Sequence, residues 1–407
     1  MIDPLVWLAL GAVTLVAGSR SMERVSRRFP ITRLLGGGWM LLALGVIVGP
    51  HALGVLSGER LHQVQPILVI LLTWTGVIVG LQCRRALVRA IPSALWRWMG
   101  MDFAVCLLLS VVAAGIVARI WRPESDAAQV LLTGTIAAMA IGWNPETRGL
   151  GIRSDAPAKR LAILVQGGAG GLAIVAVMIA SLALQCAYET PQGGVVFAPL
   201  GGLLTLAMEI GAVAVVSLGA HEILRDTRED DARTSLIVIG ALCLLSGIAV
   251  TFGGSGLLAG MIFGATLGMS SRRMRGLEGI ISSAEPVVAS GCFFFAGMTL
   301  ELPLALDSAT TALTIGAIAL MLATTRRVLK PLIMKIALAP VAASIALDSP
   351  IARAPIRQAP LTIVILLAFA IQDSSGIADQ LLAVAVLISL FSIALTGFLS
   401  GQGSPAT

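Results

Sequence analysis

Residues 195–233 read VVFAPLGGLLTLAMEIGAVAVVSLGAHEILRDTREDDAR, an apolar run followed by a short linker rich in arginine. A membrane-spanning helix needs roughly 20 consecutive apolar residues, and this run is long enough. The same unit, an apolar run and then a polar linker, recurs along the whole chain. The repetition predicts a polytopic membrane protein.

Composition supports this interpretation. The 407 residues are 57% hydrophobic and 12% charged, whereas soluble domains are about 25% charged. Lipid offers no partner for open backbone groups, and no alternation typical of a barrel is visible, so we expect an all-α bundle. About thirteen transmembrane segments are predicted, at 5–19, 34–56, 66–82, 98–118, 127–146, 161–184, 195–220, 235–252, 254–270, 285–300, 310–336, 359–372 and 377–399, numbered below as segments 1 to 13.

The basic residues orient these segments. All but three of the 28 Lys and Arg residues, namely all but Arg60, Arg119 and Arg122, fall late in or after odd-numbered segments. Because basic residues collect in cytoplasmic loops, the N-terminus is predicted outside and the C-terminus in the cytoplasm of a plasma (inner) membrane. This topology accounts for the net charge of +6, so no nucleic-acid partner is expected.

The sequence shows few features of an enzyme or of a metal site. There is no Gly-x-x-x-x-Gly-Lys phosphate loop, so energy for transport would come from an ion gradient. The cysteines and histidines are scattered without metal or redox spacing, and we expect no cofactor, no metal and no enzymatic activity. Residues 1–407 are interpreted as a single membrane domain, transmembrane over about 5–399, with a short tail at 400–407 and no soluble regulatory domain.

Three stretches carry a resemblance to a known family. Gly45 to Gly54 reads GVIVGPHALG, Gly256 to Gly264 reads GLLAGMIFG, and Phe293 to Glu301 reads FFFAGMTLE. In this order they resemble the Gly-x-x-x-Gly-Pro-x-x-Leu-Gly, "GAFLAGLLLG" and "FFxxxGMxLD" runs of the monovalent cation:proton antiporter superfamily, in its Na+/H+ exchanger and Kef-type branch. The resemblance extends over nearly the whole chain.

The resemblance implies an inverted-repeat fold in which the discontinuous fifth and twelfth spans cross near the midplane of the bilayer. It also implies a homodimer and an elevator-like movement that exchanges Na+ or K+ for a proton. In similar proteins the ion is carried by one or two acids at the centre of the sixth span.

The sixth span departs from that pattern. Gln166 takes the first place of the expected Asn-Asp, Asp-Asp or Gln-Asp pair, and Gly167 takes the second. An exchanging carboxylate holds either a proton or a cation, whereas Gln and Gly do not titrate. The glycine pairs of residues 167–171 are explained most simply by close helix packing.

Polar residues elsewhere in the implied core are candidates for the ion path. Thr133 and Thr135 are oxygen ligands on the fifth span, where Asn144 and Pro145 either interrupt the helix or mark its cytoplasmic end. On the twelfth span, Pro360 indicates either a discontinuous helix or an ordinary N-terminal proline.

Three charged residues complete the candidate set. Arg326 and Arg327 follow Thr310 by about 24 Å of helix at about 1.5 Å per residue, so they either face the core or extend to the cytoplasmic headgroups. Glu209, near the middle of segment 7, is expensive to bury unless it is paired, hydrated or protonated. It is either functional or a protonated structural side chain.

Two function classes stay open, with a weaker third. The first is a secondary transporter that exchanges Na+ or K+ for a proton. The second is a transport-inactive relative that acts as a sensor or scaffold. The third is an uncoupled anion or neutral-solute carrier, which an arginine and helix N-termini without an acid would favour.

Overall fold

The structure is a computed structural model that describes residues 39–49, 58–82, 93–121, 126–142, 156–189, 195–226, 231–270, 275–300, 309–339, 360–371, 382–384 and 387. Segment 1 and nearly all of segment 13 lie outside these residues. The twelve α-helices of the described residues are, in chain order, α1 (Trp39–Val48), α2 (Gly58–Gly80), α3 (Ser93–Trp121), α4 (Asp126–Ile141), α5 (Ala156–Cys186), α6 (Pro199–Asp226), α7 (Asp231–Thr251), α8 (Gly256–Ser270), α9 (Arg275–Thr299), α10 (Ala309–Thr324), α11 (Lys330–Leu338) and α12 (Pro360–Ala370).

Most of these helices are apolar enough for a membrane. Four contain spans long enough to cross it, at Ser93–Ile116, Gly167–Cys186, Pro199–Leu224 and Arg233–Thr251. Shorter apolar helices lie at Val64–Gly80, Gly256–Met269, Val287–Thr299, Leu313–Thr324 and Leu361–Ala370. The prediction of a multi-pass, essentially all-α membrane protein is confirmed.

One short hairpin was not predicted from the sequence. Strand β1 (Ala187–Glu189) follows α5 directly and pairs antiparallel with β2 (Val195–Phe197), which precedes α6. Residues 195–197 therefore belong to a strand, although segment 7 was predicted to start there. The hairpin joins the ends of two long helices.

Glycines bring α2 and α8 into direct backbone contact. A β-carbon at Gly260 would overlap the carbonyl oxygen of Thr73, and one at Gly264 would overlap that of Val77. The contact is reciprocal, because β-carbons at Gly76 and Gly80 would overlap backbone atoms of α8. Small residues at every fourth position are a common way to bring membrane helices together.

A second glycine contact joins α1 to α9. A β-carbon at Gly45 would overlap the carbonyl oxygen of Phe294, and one at Gly297 would overlap that of Leu42. Glycines of all three family-like stretches therefore lie at helix–helix contacts. Their role in this fold is packing.

Two helices at the centre of the molecule are enclosed by protein. From Thr135 to Gly142 every residue is buried, and so is every residue from Leu361 to Phe369 of α12. A helix that is apolar and buried all round belongs to the core of a bundle. A methyl group at Gly142, just after the end of α4, would lie 3.7 Å from Cδ2 of Leu361. The end of α4 and the start of α12 therefore meet inside the protein.

Segment 11 contains a widened turn between α10 and α11. Residues Thr325–Leu329 form a π-helical turn, and the amide of Lys330 donates to the carbonyl of Thr325. Pro331 explains it, because proline has no amide hydrogen and its ring clashes with the carbonyl four residues earlier. π-helical turns of this kind often occur at functional sites.

Two further boundaries needed correction. Segment 10 was predicted to start at residue 285, but α9 begins at Arg275 and Glu285 is a half-buried residue inside it. Segment 3 was predicted to start at residue 66, but α2 begins at Gly58 and contains Pro66. In both cases polar residues extend the helix beyond its apolar part, which hydropathy alone does not detect.

Candidate functional site

The core of the bundle contains a buried ion pair. Nζ of Lys330 lies 2.7 Å from Oδ2 of Asp102, and each side chain is 1% exposed. Asp102 comes from α3, and Lys330 is the first residue of α11, directly after the π-helical turn. Taking either charge out of water costs several kcal/mol. Each charge is therefore tolerated in the protein interior mainly because the opposite charge lies beside it.

The ion pair lies at the carboxyl end of α4. Nζ of Lys330 is 3.4 Å from the carbonyl oxygen of Ile141, the last residue of that helix. The last carbonyls of a helix lack intrahelical partners and carry partial negative charge. Lys330 thus faces a carboxylate and a helix carboxyl end, both of which attract cations.

Polar side chains continue from Asp102 along α3. Cys106 lies one turn later, and its thiol sulfur is 3.8 Å from Oδ1 of Asp102. Ser110, one turn further, donates to the carbonyl of Cys106 at 2.6 Å and lies 3.5 Å from the carbonyl of Ile136 on α4. All three side chains are buried. Asp102, Cys106 and Ser110 thus form a buried polar row along α3, in which Ser110 contacts α4.

The glycines of α5 pack against α3 and the end of α2. β-Carbons at Gly168 and Gly171 would overlap Trp98 and Met99, and one at Gly170 would lie 2.7 Å from Oε1 of Gln82. Gly167 is different, because among the described residues a β-carbon there would meet Leu95 alone, at 3.8 Å. Close packing thus explains the other three glycines, while the position implied for the carboxylate has ordinary space around it.

Glu209 lies in a separate cluster. It is 0% exposed on α6, and its Oε2 accepts a hydrogen bond from Nε2 of Gln185 near the end of α5. Its Oε1 is buried without a hydrogen-bond partner among the described residues. Oγ1 of Thr205, one turn earlier, is 3.5 Å from Oε1 of Gln185.

A tight turn brings the start of α8 to the same carboxylate. Gly253 has a φ of 62°, and the amides of Gly253 and Gly254 bond back to Val250 and Ala249 at 3.2 and 2.8 Å. This is a Schellman ending of α7, which requires a residue in the left-handed region. A β-carbon at Gly254 would overlap the carboxylate of Glu209. Glycine at residue 254 therefore makes room for the acid.

The other predicted site residues are placed as follows. Thr135 is buried and Thr133 half-buried on α4. Gln166 lies in α5, and Arg326 and Arg327 lie in the π-helical turn, but their side chains are outside the described part of the structure. Asn144 also lies outside it. Pro360 is the first residue of α12, as an N-terminal proline would be.

Sequence reasoning missed the ion pair. Lys330 was grouped with the cytoplasmic basic residues, and Asp102 was not singled out. The signal was present, because both residues lie within predicted segments, and an ionisable residue inside a span is a functional candidate by default. Among the described residues, the buried charged side chains are Asp102, Glu209 and Lys330.

The comparison with solved structures identifies the fold, whereas the two sequence comparisons find no match. No protein-family profile matches the sequence, and no curated protein matches it. The structure is similar to that of the sodium proton antiporter MjNhaP1 from Methanocaldococcus jannaschii at pH 8, with a TM-score of 0.67 and 16% identity over 98% of this chain and 100% of that one. A structure of the same antiporter from electron microscopy gives a TM-score of 0.63 and 17% identity over the full length of both chains. The predicted antiporter-like fold is therefore confirmed.

Proposed function

We propose that the protein is a secondary transporter that exchanges a monovalent cation, Na+ or K+, for a proton. The observation that carries this proposal is the buried Lys330–Asp102 pair at the carboxyl end of α4. The similarity to a sodium proton antiporter over the whole chain supports it. An exchanger needs a desolvated anionic site for which a cation and a proton compete, and the pair supplies one.

The competition follows from the cost of buried charge. A cation that binds Asp102 displaces the ammonium of Lys330, and an unpaired ammonium in this interior is strongly unfavourable. Lys330 then releases its proton to water, so one cation enters as one proton leaves. When the cation departs, Lys330 takes a proton and pairs with Asp102 again. Each state of the site thus carries one positive charge beside the carboxylate.

Several further features belong to the proposal. The carbonyl of Ile141 would supply a neutral oxygen ligand near Asp102. The buried Thr135, next to Ile136 on α4, would line the path near Ser110. The meeting ends of α4 and α12 would form the crossing around which the core moves in an elevator-like manner. Gln166, Gly167, Arg326 and Arg327 remain candidates for lining the path.

The membrane, the orientation and the oligomeric state of the protein are proposed on the same grounds. Residues 1–407 would form one membrane domain, as a homodimer in the lipid bilayer of a plasma (inner) membrane, with the N-terminus outside and the C-terminus cytoplasmic. The partners would be the cation and the proton, and the protein would not be an enzyme. The positive-inside pattern and the fold support these statements.

One observation favours the second candidate function, a transport-inactive sensor or scaffold. Side chains of α3 and of Gln82, just after α2, occupy the space beside Gly168, Gly170 and Gly171. Such close packing is expected of a core that no longer moves. Of the third candidate, an uncoupled anion or neutral-solute carrier, the anion carrier is disfavoured because Asp102 already neutralises Lys330.

The test is cation-induced collapse of a preset pH gradient in proteoliposomes. Na+, K+ and Li+ are compared for the parent protein, Asp102→Asn and Lys330→Gln. Lys335→Gln is the matched control, because Lys335 lies on the same helix and is exposed. We expect collapse in the parent and the control and its loss in Asp102→Asn.

The alternative outcomes are equally clear. Collapse that survives in both Asp102→Asn and Lys330→Gln would show that exchange does not use this pair. No collapse with any of the three ions, in folded parent protein, would reject exchange of these cations and favour the transport-inactive function.

A further inference from the structure

Glu209 is a buried acid that the exchange reaction proposed above does not use. It lies on α6, in contact with α5 through Gln185 and with the start of α8 through Gly254. The Lys330–Asp102 pair instead joins α3 to α11. The two buried carboxylates are therefore on different helices with different partners.

Gln185 suits Glu209 in both of its protonation states. When Glu209 is ionised, the amide nitrogen of Gln185 donates to Oε2, as placed in the structure. When Oε2 carries a proton, rotation of the amide lets Oε1 of Gln185 accept it, because an amide offers a donor on one side and an acceptor on the other. Thr205 can serve either state, since its hydroxyl donates or accepts.

Opposing influences act on the two states. The buried Oε1 of Glu209 has no hydrogen-bond partner among the described residues, and an unpaired buried charge is costly, which favours the protonated acid. The amino end of α8, two residues after Gly254, favours the anion. Helix α8 is 15 residues long, so its terminus carries the full effect of a helix end.

The described ionisable groups around Glu209 do not provide a counter-ion. Helix α8 contains no ionisable residue. On α6 the nearest are His221 and Glu222, more than three turns further along. The remaining ionisable residues of the neighbouring elements are Cys186 beside Gln185, Asp231, Arg233 and Cys243 on α7, Lys159 and Arg160 at the other end of α5, and Tyr188 and Glu189 on β1.

We propose that Glu209, with Gln185 and Thr205, forms a second proton-binding site that is separate from the Lys330–Asp102 pair. Proton binding at this site reverses the direction of the hydrogen bond between Gln185 on α5 and Glu209 on α6. The site does not require the proposed exchange reaction, since proton binding is measurable in protein that does not transport.

Infrared difference spectroscopy of the full-length protein in lipid tests the proposal. Spectra recorded from acidic to alkaline pH report the carbonyl stretch of a protonated carboxylic acid. We expect a band that disappears as the pH rises, that is absent in Glu209→Gln and that is retained in Asp102→Asn. Glu222→Gln is the matched control, because Glu222 is an exposed acid on the same helix.

The environment of the band tests the role of Gln185. In Gln185→Leu the band should move to a frequency typical of a carboxylic acid without a hydrogen bond. The proposal is overturned if the parent and Glu209→Gln give the same set of carbonyl bands at every pH, or if the band that Glu209→Gln lacks shows no pH dependence in the parent. It is also overturned by a band in Gln185→Leu that is identical to that of the parent. Because none of these results depends on ion flux, failure of this proposal and failure of the exchange proposal are distinguishable.

Discussion

Cys106 lies one helical turn after Asp102, with its sulfur 3.8 Å from Oδ1, while Lys330 occupies Oδ2. The two oxygens of one buried carboxylate thus face a neutral thiol on one side and a cation on the other. A substitution of Cys106 would change the contact at Oδ1 and leave the ion pair at Oδ2 in place. A carboxylate buried here without its ion pair would be costly.

Breaking the ion pair from one side should destabilise the protein. Lys330→Met leaves the carboxylate of Asp102 buried without its partner, and loss of one member of such a pair costs about 3 to 5 kcal/mol. The double change Lys330→Met with Asp102→Leu removes both charges and should recover most of that loss. The measurement is thermal unfolding in detergent.

A transport assay on the same variants distinguishes a loss of stability from a loss of function. The double variant should fold well and still fail to collapse a pH gradient. A double variant no more stable than Lys330→Met would show that the pair does not behave as a coupled buried pair.

Glycine 168 should tolerate no side chain. In Gly168→Ala the new methyl group would overlap the ring of Trp98, which is itself fully buried and has little room to shift. Overpacking of this kind costs about 1 to 3 kcal/mol. Gly167→Ala is the matched control on the same helix, because its methyl group would meet Leu95 at 3.8 Å. Unfolding midpoints of the two variants compare them; equal midpoints would contradict the packing shown here.

Glycine 260 should be the most sensitive position of the contact between α2 and α8. In Gly260→Ala the new methyl group would overlap backbone atoms of Thr73, and backbone cannot rotate away as a side chain can. The helices would have to separate, with loss of folded yield and a lower unfolding midpoint. Gly247→Ala on α7 is the control, because no atom of the described part of the chain lies within 4 Å of its β-carbon position. Comparable yields for both variants would count against a tight crossing.

Proline 331 should act on the ion pair through the backbone. Pro331→Ala supplies the missing amide hydrogen and removes the clash that accompanies the π-helical turn, so a regular α-helix becomes favourable. Regular winding rotates Lys330 relative to α10 and weakens its contact with Asp102. We expect a slower exchange rate without loss of folded protein. An unchanged rate would show that the turn does not position Lys330.

Local properties of the chain predicted the membrane class well. Segments 2 to 12 correspond to helices α1 to α12, with segment 11 forming both α10 and α11. The order of the glycine-rich stretches predicted the antiporter-like fold. The hairpin at Ala187–Phe197 was missed because it has only three residues on each strand. Helix extensions such as Gly58 to Pro66 were missed because they are polar.

Individual site residues were harder to predict. Glu209 was found because it stands alone in an apolar run. Lys330 was grouped with the cytoplasmic basic residues because it lies close to Arg326 and Arg327. Gln185 offered no local signal, since nothing in its neighbours indicates an acid on the next helix.

Hydropathy along the chain was enough to predict several membrane crossings, and the glycine pairs of residues 167–171 indicated close packing of that helix, because hydropathy and residue size act over a few turns of one helix. The contacts of Asp102 with Lys330, 228 residues away, and of Glu209 with Gln185, 24 residues away, became visible in the folded protein. A buried charge is stabilised by whichever group faces it in space. That group is set by the packing of helix faces, not by proximity along the chain.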